Sequence, residues 1–270
     1  MGGRVLGDVG DAGPVAGLLG DRPRRRARVV RRARAPLRKV VRDLRRRTIT
    51  AVIYAAIVLV AVAAPPIVLW ILLVAAGRGG LSELRRLRVG TPALVFGALF
   101  VLGLVCLALL RSAEALGARP GTAEWIPVWL LLAIFPTWAA DIGAYLVGSA
   151  VGRRRIAPSI SPGKTLEGTV AGFIACALAA VAVGMVFGLS RAPVYIVAVG
   201  LGPVGLVGDL LESSLKRRAG VKDSGAILPG HGGLLDRLDS LVTGATFVFM
   251  VFILWLLTGL GSEGGIVDRF

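Results

Sequence analysis

Histidine occurs once in these 270 residues, cysteine twice, and lysine four times against 28 arginines. The two cysteines, Cys106 and Cys176, fall inside apolar runs, so neither a disulfide framework nor a Cys/His metal spacing is present, and both are expected to be packing residues. Charge is scarce as well. Only 18% of the chain is charged and 55% is hydrophobic, with a mean hydropathy of +0.76. A soluble domain of this length does not carry so many long uncharged runs. The first twenty residues hold no apolar stretch following a short basic start, so no signal peptide is expected. Aromatics are missing from the arginine-rich segment 22–47, which removes the stacking surface of a single-strand nucleic-acid binder; no nucleic-acid partner is expected.

What remains is a polytopic, all-α integral membrane protein. Candidate spans are 49–63, 65–77, 92–110, 125–148, 169–189, 193–211 and 241–260. The first two are short and separated by Pro65-Pro66. The net charge of +16 is unevenly placed. Residues 1–47 hold 15 Lys and Arg against Asp8, Asp11, Asp21 and Asp43, and read as a basic, disordered arm retained on the cytoplasmic side and touching anionic lipids. About seven spans with the N-terminus inside place 78–91, 149–168 and 212–240 in the cytoplasm, where Arg78, Arg85, Arg86, Arg88 and Arg153 to Arg155 satisfy the positive-inside rule. Expected regions are the arm (1–47), N-terminal membrane helices (48–137), a catalytic membrane region (138–260) and a tail (261–270).

The densest chemistry lies in 208–239, GDLLESSLKRRAGVKDSGAILPGHGGLLDRLD. Asp209, Glu212, Ser213 and Lys216 share one face if this stretch is helical. Asp236 and Asp239, three apart, point one way from the first turn of the next helix. Two acidic clusters at two helix mouths can converge on Mg²⁺, which takes a few carboxylate and phosphate oxygens and keeps waters; Asp209, Asp236 and Asp239 are the candidate metal ligands. Gly232 and Gly233 let backbone approach an anion, and His231 is a candidate either to donate to a phosphate or to act in proton transfer. Three of the four lysines (Lys164, Lys216, Lys222) sit in these loops, where a compact point charge suits phosphate. Asp223, Arg217 and Arg237 join the candidate set.

A second loop, 158–168, contains Ser161, Lys164, Thr165 and Glu167. Its GKT echoes a P-loop, but that motif needs a glycine where Pro158 stands and a preceding strand, so a P-loop NTPase is excluded. Ser161, Lys164 and Thr165 make a phosphate-contacting set, and Glu167 is expected to pair with a base or a metal. Asp141 lies inside a span, where a carboxylate needs a partner or a water-filled cavity; Tyr145 follows on the same face.

The strings Ser213-Ser214-Leu215-Lys216-Arg217, Lys222-Asp223-Ser224-Gly225, Leu228-Pro229-Gly230-His231-Gly232-Gly233 and Asp236-Arg237-Leu238-Asp239 resemble, nearly residue for residue, the C-terminal signature of the phosphatidate cytidylyltransferase (CDP-diacylglycerol synthase) family. Asp141 to Tyr145 and Ser161 to Gly168 are similar to its upstream motifs. The resemblance covers about 138–260; the N-terminal third agrees only as apolar helices. It implies an all-helical fold, the reaction CTP + phosphatidate → CDP-diacylglycerol + pyrophosphate, a requirement for Mg²⁺ with a second cation such as K⁺, and a homodimer in the cell (inner) membrane. The reading of the residues and the resemblance together assign catalysis to Asp209, Lys216, Lys222, Asp223, His231, Asp236 and Asp239. Substrate contacts fall to Asp141, Ser161, Lys164, Thr165, Glu167, Ser213, Arg217, Gly232, Gly233 and Arg237. The rival readings are a cytidylyltransferase for another lipid phosphate and, more remotely, a transporter.

Overall fold

The computed structural model describes Thr50 and residues 52–112, 126–225 and 232–258. The basic arm, the 113–125 connection, Pro229 to His231 and the C-terminal tail lie outside the described residues. Seven helices and one hairpin follow in order: α1 Val52–Ala63, α2 Pro66–Leu87, α3 Thr91–Arg111, α4 Val128–Val151, β1 Arg155–Ala157, β2 Ser161–Thr165, α5 Leu166–Phe187, α6 Arg191–Arg218 and α7 Leu235–Leu257. Six of them, α2 to α7, are long and apolar enough to cross a membrane, and the described part is an all-helical polytopic bundle.

Two expectations about the first third change. The second apolar segment is not short: α2 runs for 22 residues, through Arg78, Arg85 and Arg86. The presumed loop 78–91 therefore shrinks to residues 88–90, where Arg88 takes a left-handed conformation (φ 51°) and Gly90 another (φ 67°). Basic residues at the C-terminal end of a helix suit its dipole, so arginine density does not mark a loop here. The Pro65-Pro66 break is a reversal, not a kink. The Arg111 side chain at the end of α3 donates to Ala64 O at 3.0 Å, while Tyr54 stacks on Trp138 of α4, ring centroids 6.3 Å apart. Thus α1 runs away from the end that carries the polar motifs and α2 returns to it. That end gathers the C-termini of α2, α4 and α6 and the N-termini of α3, α5 and α7.

Without a hydrophobic drive between helices in lipid, close packing of small residues carries helix association. The pair α4–α5, the most extensive contact in the bundle, is built this way. Ala140, Ala144 and Gly148 recur every fourth residue on α4 and face Gly168 and Gly172 on α5. A methyl added at Gly172 would lie 2.8 Å from Ala140 O and 3.0 Å from Ala144 Cβ; one at Gly168 would lie 2.7 Å from Ala144 O. The backbones touch, and no side chain fits between them. Farther from the polar end, Trp129 packs edge-on against Phe252 (5.1 Å) and against Trp255 (5.2 Å). Cys106 and Cys176 are buried and unpaired, as packing residues.

The connection between α4 and α5, expected as a loop carrying phosphate contacts, contains regular structure. Residues 155–165 form an antiparallel hairpin, Arg155 opposite Thr165 and Ala157 opposite Ser161, with an irregularity between the two pairs. Thr165 ends it by capping α5: its Oγ1 accepts from Gly168 N at 3.2 Å, the role a β-region threonine plays at a helix start.

Gly172→Leu tests the seam. Overpacking a backbone contact costs about 1–3 kcal/mol, so the variant's melting temperature in detergent should fall by several degrees. Gly163→Ala, where an added methyl meets nothing within 4 Å, should leave it unchanged. Equal melting temperatures for Gly172→Leu and the parent chain would show that the helices do not touch at this point.

Candidate functional site

At the polar end, α4, α5, α6 and the hairpin enclose a cavity of about 460 Å³. Its rim is polar: Asp141 and Tyr145 from α4, Ser161, Lys164 and Thr165 from the hairpin, Asp209 from α6 and Ser240 from α7. Its floor is apolar, reaching Phe173, Cys176 and Leu201 between the helices. The intramembrane carboxylate Asp141 projects into this cavity rather than into packed protein, which is the solution its position demands.

Two linked polar networks organise the rim. In the first, Lys164 of β2 forms an ion pair with Asp209 Oδ2 of α6, each side chain about one quarter exposed (25% and 24%). Ser213 Oγ donates to Asp209 Oδ1 at 3.3 Å. Asp239 is buried and accepts from Ser240 N at 2.7 Å. Asp141, Asp209 and Asp239 lie close enough for their charges to act on one another. What brings α7 so close is Gly208: a methyl there would strike Asp239 O (2.7 Å) and the Thr243 side chain.

The second network sits two turns farther along α6. Lys216 Nζ lies 2.5 Å from Glu212 Oε2 and 2.6 Å from Asp236 Oδ1. Glu212 is 1% exposed and Lys216 is 12% exposed, so this is a desolvated cluster in which each charge needs its partners. Asp236 Oδ2 accepts from Gly233 N at 2.7 Å and Ser224 N at 3.2 Å. The shared face of Asp209, Glu212, Ser213 and Lys216 is therefore as expected, because α6 stays helical to Arg218.

The expected three-acid metal set is only partly gathered. Asp141 and Asp209 line the cavity, and Asp239, buried, lies near enough for its charge to act on both. Asp236, although one turn from Asp239, spends its oxygens on Lys216 and on two loop N–H groups. Among the described residues no group of three or more His, Cys, Asp or Glu side chains is arranged to hold a metal by itself. The donors are hard oxygens, those of Asp141 and Asp209 at the cavity rim and those of Asp239 buried. They fit a hard divalent cation that takes one or two protein carboxylates and completes its shell with phosphates and water, and they do not fit a closed protein cage.

Other expected residues take different places. Glu167 accepts from Arg153 N (3.0 Å) and Arg154 N (3.3 Å), with the Arg154 charge also acting on it, and so anchors the base of the hairpin. Arg217 ties the hairpin tip to α6, its Nε donating to Ile160 O at 3.0 Å. Lys222, Asp223 and Arg237 are exposed near the same end. Gly232 takes φ 85° beside the Asp236 carboxylate, a backbone angle that favours glycine. His231 lies outside the described residues. One residue the sequence reading missed is Glu83 of α2, fully buried against the start of α7; nothing local in LSELRRL sets it apart from a surface acid among arginines.

Comparison with known proteins agrees with this geometry. The model of the cytidylyltransferase family matches residues 98–255, more than half of the chain. The chain is 40% identical over 129 residues to the phosphatidate cytidylyltransferase of Bacillus subtilis (strain 168), covering 47% of this chain and 48% of that protein. It is 42% identical over 149 residues to the enzyme of the same name from Brucella suis biovar 1, covering 53% and 50%. It is also 46% identical over 127 residues to the Escherichia coli protein described as uncharacterized protein YnbB, covering 47% and 42%. The chain spans about half the length of the curated relatives it matches. The matched region contains the hairpin, both polar networks and the cavity: this chain belongs to the cytidylyltransferase family.

Proposed function

We propose that the chain transfers the CMP group of CTP to phosphatidate, giving CDP-diacylglycerol and pyrophosphate. The observation that carries this reading is the cavity itself: a rim of Lys164, Asp209, Asp141, Ser161 and Thr165 over an apolar floor set between membrane-spanning helices. A lipid phosphate has this division of chemistry, a multiply charged head on hydrocarbon tails, and a nucleotide adds phosphates to the same rim. The names of the Bacillus and Brucella relatives support the choice of phosphatidate and CTP over another lipid phosphate.

In this reading a phosphate oxygen of phosphatidate attacks the α-phosphorus of CTP. The new P–O bond forms as the bond to the β-phosphate oxygen breaks, and pyrophosphate leaves with that electron pair. The nucleophile is already anionic at neutral pH, so positioning and charge neutralisation do most of the work. Lys164 is held by Asp209 at the rim and pre-oriented toward a phosphate there, and Lys216 is held by Glu212 and Asp236 two turns along α6. Arg217, Lys222 and Arg237 add positive charge at the same end. Ser161, Ser213 and Thr165 offer hydroxyls, and Gly232, Gly233 and His231 belong to the adjoining loop. Asp223 neighbours Gly232 and is placed to orient Lys222. We assign Mg²⁺ to Asp209 and Asp239, where it would neutralise phosphate charge; Asp236 serves the site by holding Lys216. A second cation such as K⁺ is the family's further implication, as is a homodimer.

Arginines crowd the end that carries the cavity: Arg85 and Arg86 in the last turn of α2 and Arg88 just after it, Arg153 to Arg155 before β2, and Arg217 and Arg218 closing α6. By the positive-inside rule this end faces the cytoplasm. We propose an inner-membrane enzyme whose substrates arrive from that side, with the 22–47 arm against anionic lipids.

Purified protein supplied with CTP, phosphatidate and Mg²⁺ should release pyrophosphate and form CDP-diacylglycerol. A panel in which a polyprenyl phosphate replaces phosphatidate should give no product; preference for that lipid would reassign the substrate. Asp209→Asn and Asp239→Asn should each lower kcat by about 10²–10³-fold, the usual loss on removing one electrostatic stabiliser. Chelation of Mg²⁺ should abolish turnover in the parent chain. Asp236→Asn should also abolish turnover while the protein still inserts, because Lys216 loses one of its two carboxylates; full activity would remove Asp236 from the site.

A further inference from the structure

Glu83 is a carboxylate with no exposure at all, set near the end of α2 and outside both polar networks described above. Its Oε2 accepts from Leu235 N at 3.0 Å and from Ser224 Oγ at 3.2 Å. Those partners are 152 and 141 residues away in sequence. Among the described residues its Oε1 is buried without a hydrogen-bond partner. The glycines on either side of the loop are shaped to it: a methyl on Gly233 would lie 2.6 Å from Glu83 Oε2, and one on Gly225 would strike the same carboxylate.

The identity of the Leu235 N–H makes this contact informative. It belongs to the first residue of α7, and the first N–H groups of a helix have no partner inside it. The residue before it, Leu234, has no side-chain acceptor to offer, and α7 carries no side-chain cap of its own. Glu83 supplies from another helix what a capping serine or aspartate supplies locally, and its negative charge lies where the helix dipole favours it. Two carboxylates then divide the loop ends: Glu83 holds the Ser224 hydroxyl and Leu235 N–H, and Asp236 holds Ser224 N–H and Gly233 N–H. The first turn of α7 is the turn that presents Asp236 to Lys216, and the next turn presents Asp239 beside Asp209.

We infer that Glu83 is a positioning residue for the transfer site: a cap delivered from α2 that sets the start of α7, and with it the meeting of Asp236 and Lys216. The catalytic half of this inference rests on the function proposed above; the structural half does not. Its requirement is an acceptor oxygen, since both contacts are donated to one oxygen and the other oxygen carries none among the described residues. Glutamine supplies that oxygen and alanine does not.

The test uses the full-length protein in detergent and two readouts. The first is amide hydrogen exchange of the peptide carrying Leu235. Glu83→Ala should speed it, Glu83→Gln should leave it as in the parent chain, and peptides from the α4–α5 seam should be unaffected in both. The second is turnover with CTP and phosphatidate. Glu83→Ala should lower kcat by about 10²-fold, the scale of a 1 Å misplacement transmitted from a distance, with KM for CTP within about threefold of the parent value. Glu83→Gln should restore kcat to within about threefold. Parent-like exchange and parent-like kcat in Glu83→Ala would overturn the inference, and so would a Glu83→Gln variant as impaired as the alanine. If Glu83→Ala does not fold, Glu83→Asp decides, since a side chain one methylene shorter keeps the charge but withdraws the oxygen that accepts from Leu235 N; parent-like exchange at Leu235 and parent-like kcat in that variant would overturn it. A parent chain that makes no lipid product sinks the proposed function alone, and the exchange comparison still judges the cap.

Discussion

A charge beside hydrocarbon has to be met by another charge, a dipole or water, and this demand organises the polar end of the bundle. Asp209 is met by Lys164 and Ser213, Glu212 and Asp236 share Lys216, Asp141 opens into the cavity, and Glu83 meets the head of α7. Each pairing joins two different elements, except for the contacts within α6. Removing one member would strand its partner at a cost of several kcal/mol, so the same contacts that make the site chemically competent also hold α2, the hairpin, α6 and α7 in register.

Those contacts are possible only because the helices approach closely. Small residues every fourth position draw α4 and α5 to backbone distance, and Gly208 does the same for α6 and α7. Where the helices touch, the floor of the cavity closes. At the polar end the hairpin contributes Ser161, Lys164 and Thr165 to the rim. The apolar half of the bundle, with Trp129 against Phe252 and Trp255, carries no polar duty and serves as the frame.

Much of this was legible in the linear order of residues. Runs of about twenty apolar residues can only be membrane-length helices. Residues spaced by three and four must share a helix face, which is why Asp209, Glu212, Ser213 and Lys216 fell together as read. The acids of the first turns of α7 were legible for the same reason. Local spacing does not reach between elements, however. It could not tell that Lys164 would choose Asp209, that Glu167 would hold backbone N–H groups, or that Asp236 would be committed to Lys216 and the loop. It also read the arginines after Gly77 as a loop, because composition does not distinguish a basic helix end from a basic turn.

The sequence by itself determined the class of molecule, the helical faces and the inventory of acids, bases and glycines, since these follow from composition and from periods of three and four residues. Tertiary structure alone decided which acid meets which base, and it alone disclosed Glu83. A carboxylate in α2 and an N–H 152 residues later become partners only when two helices are packed side by side. No local pattern records that contact, because its energy comes from the burial that folding creates.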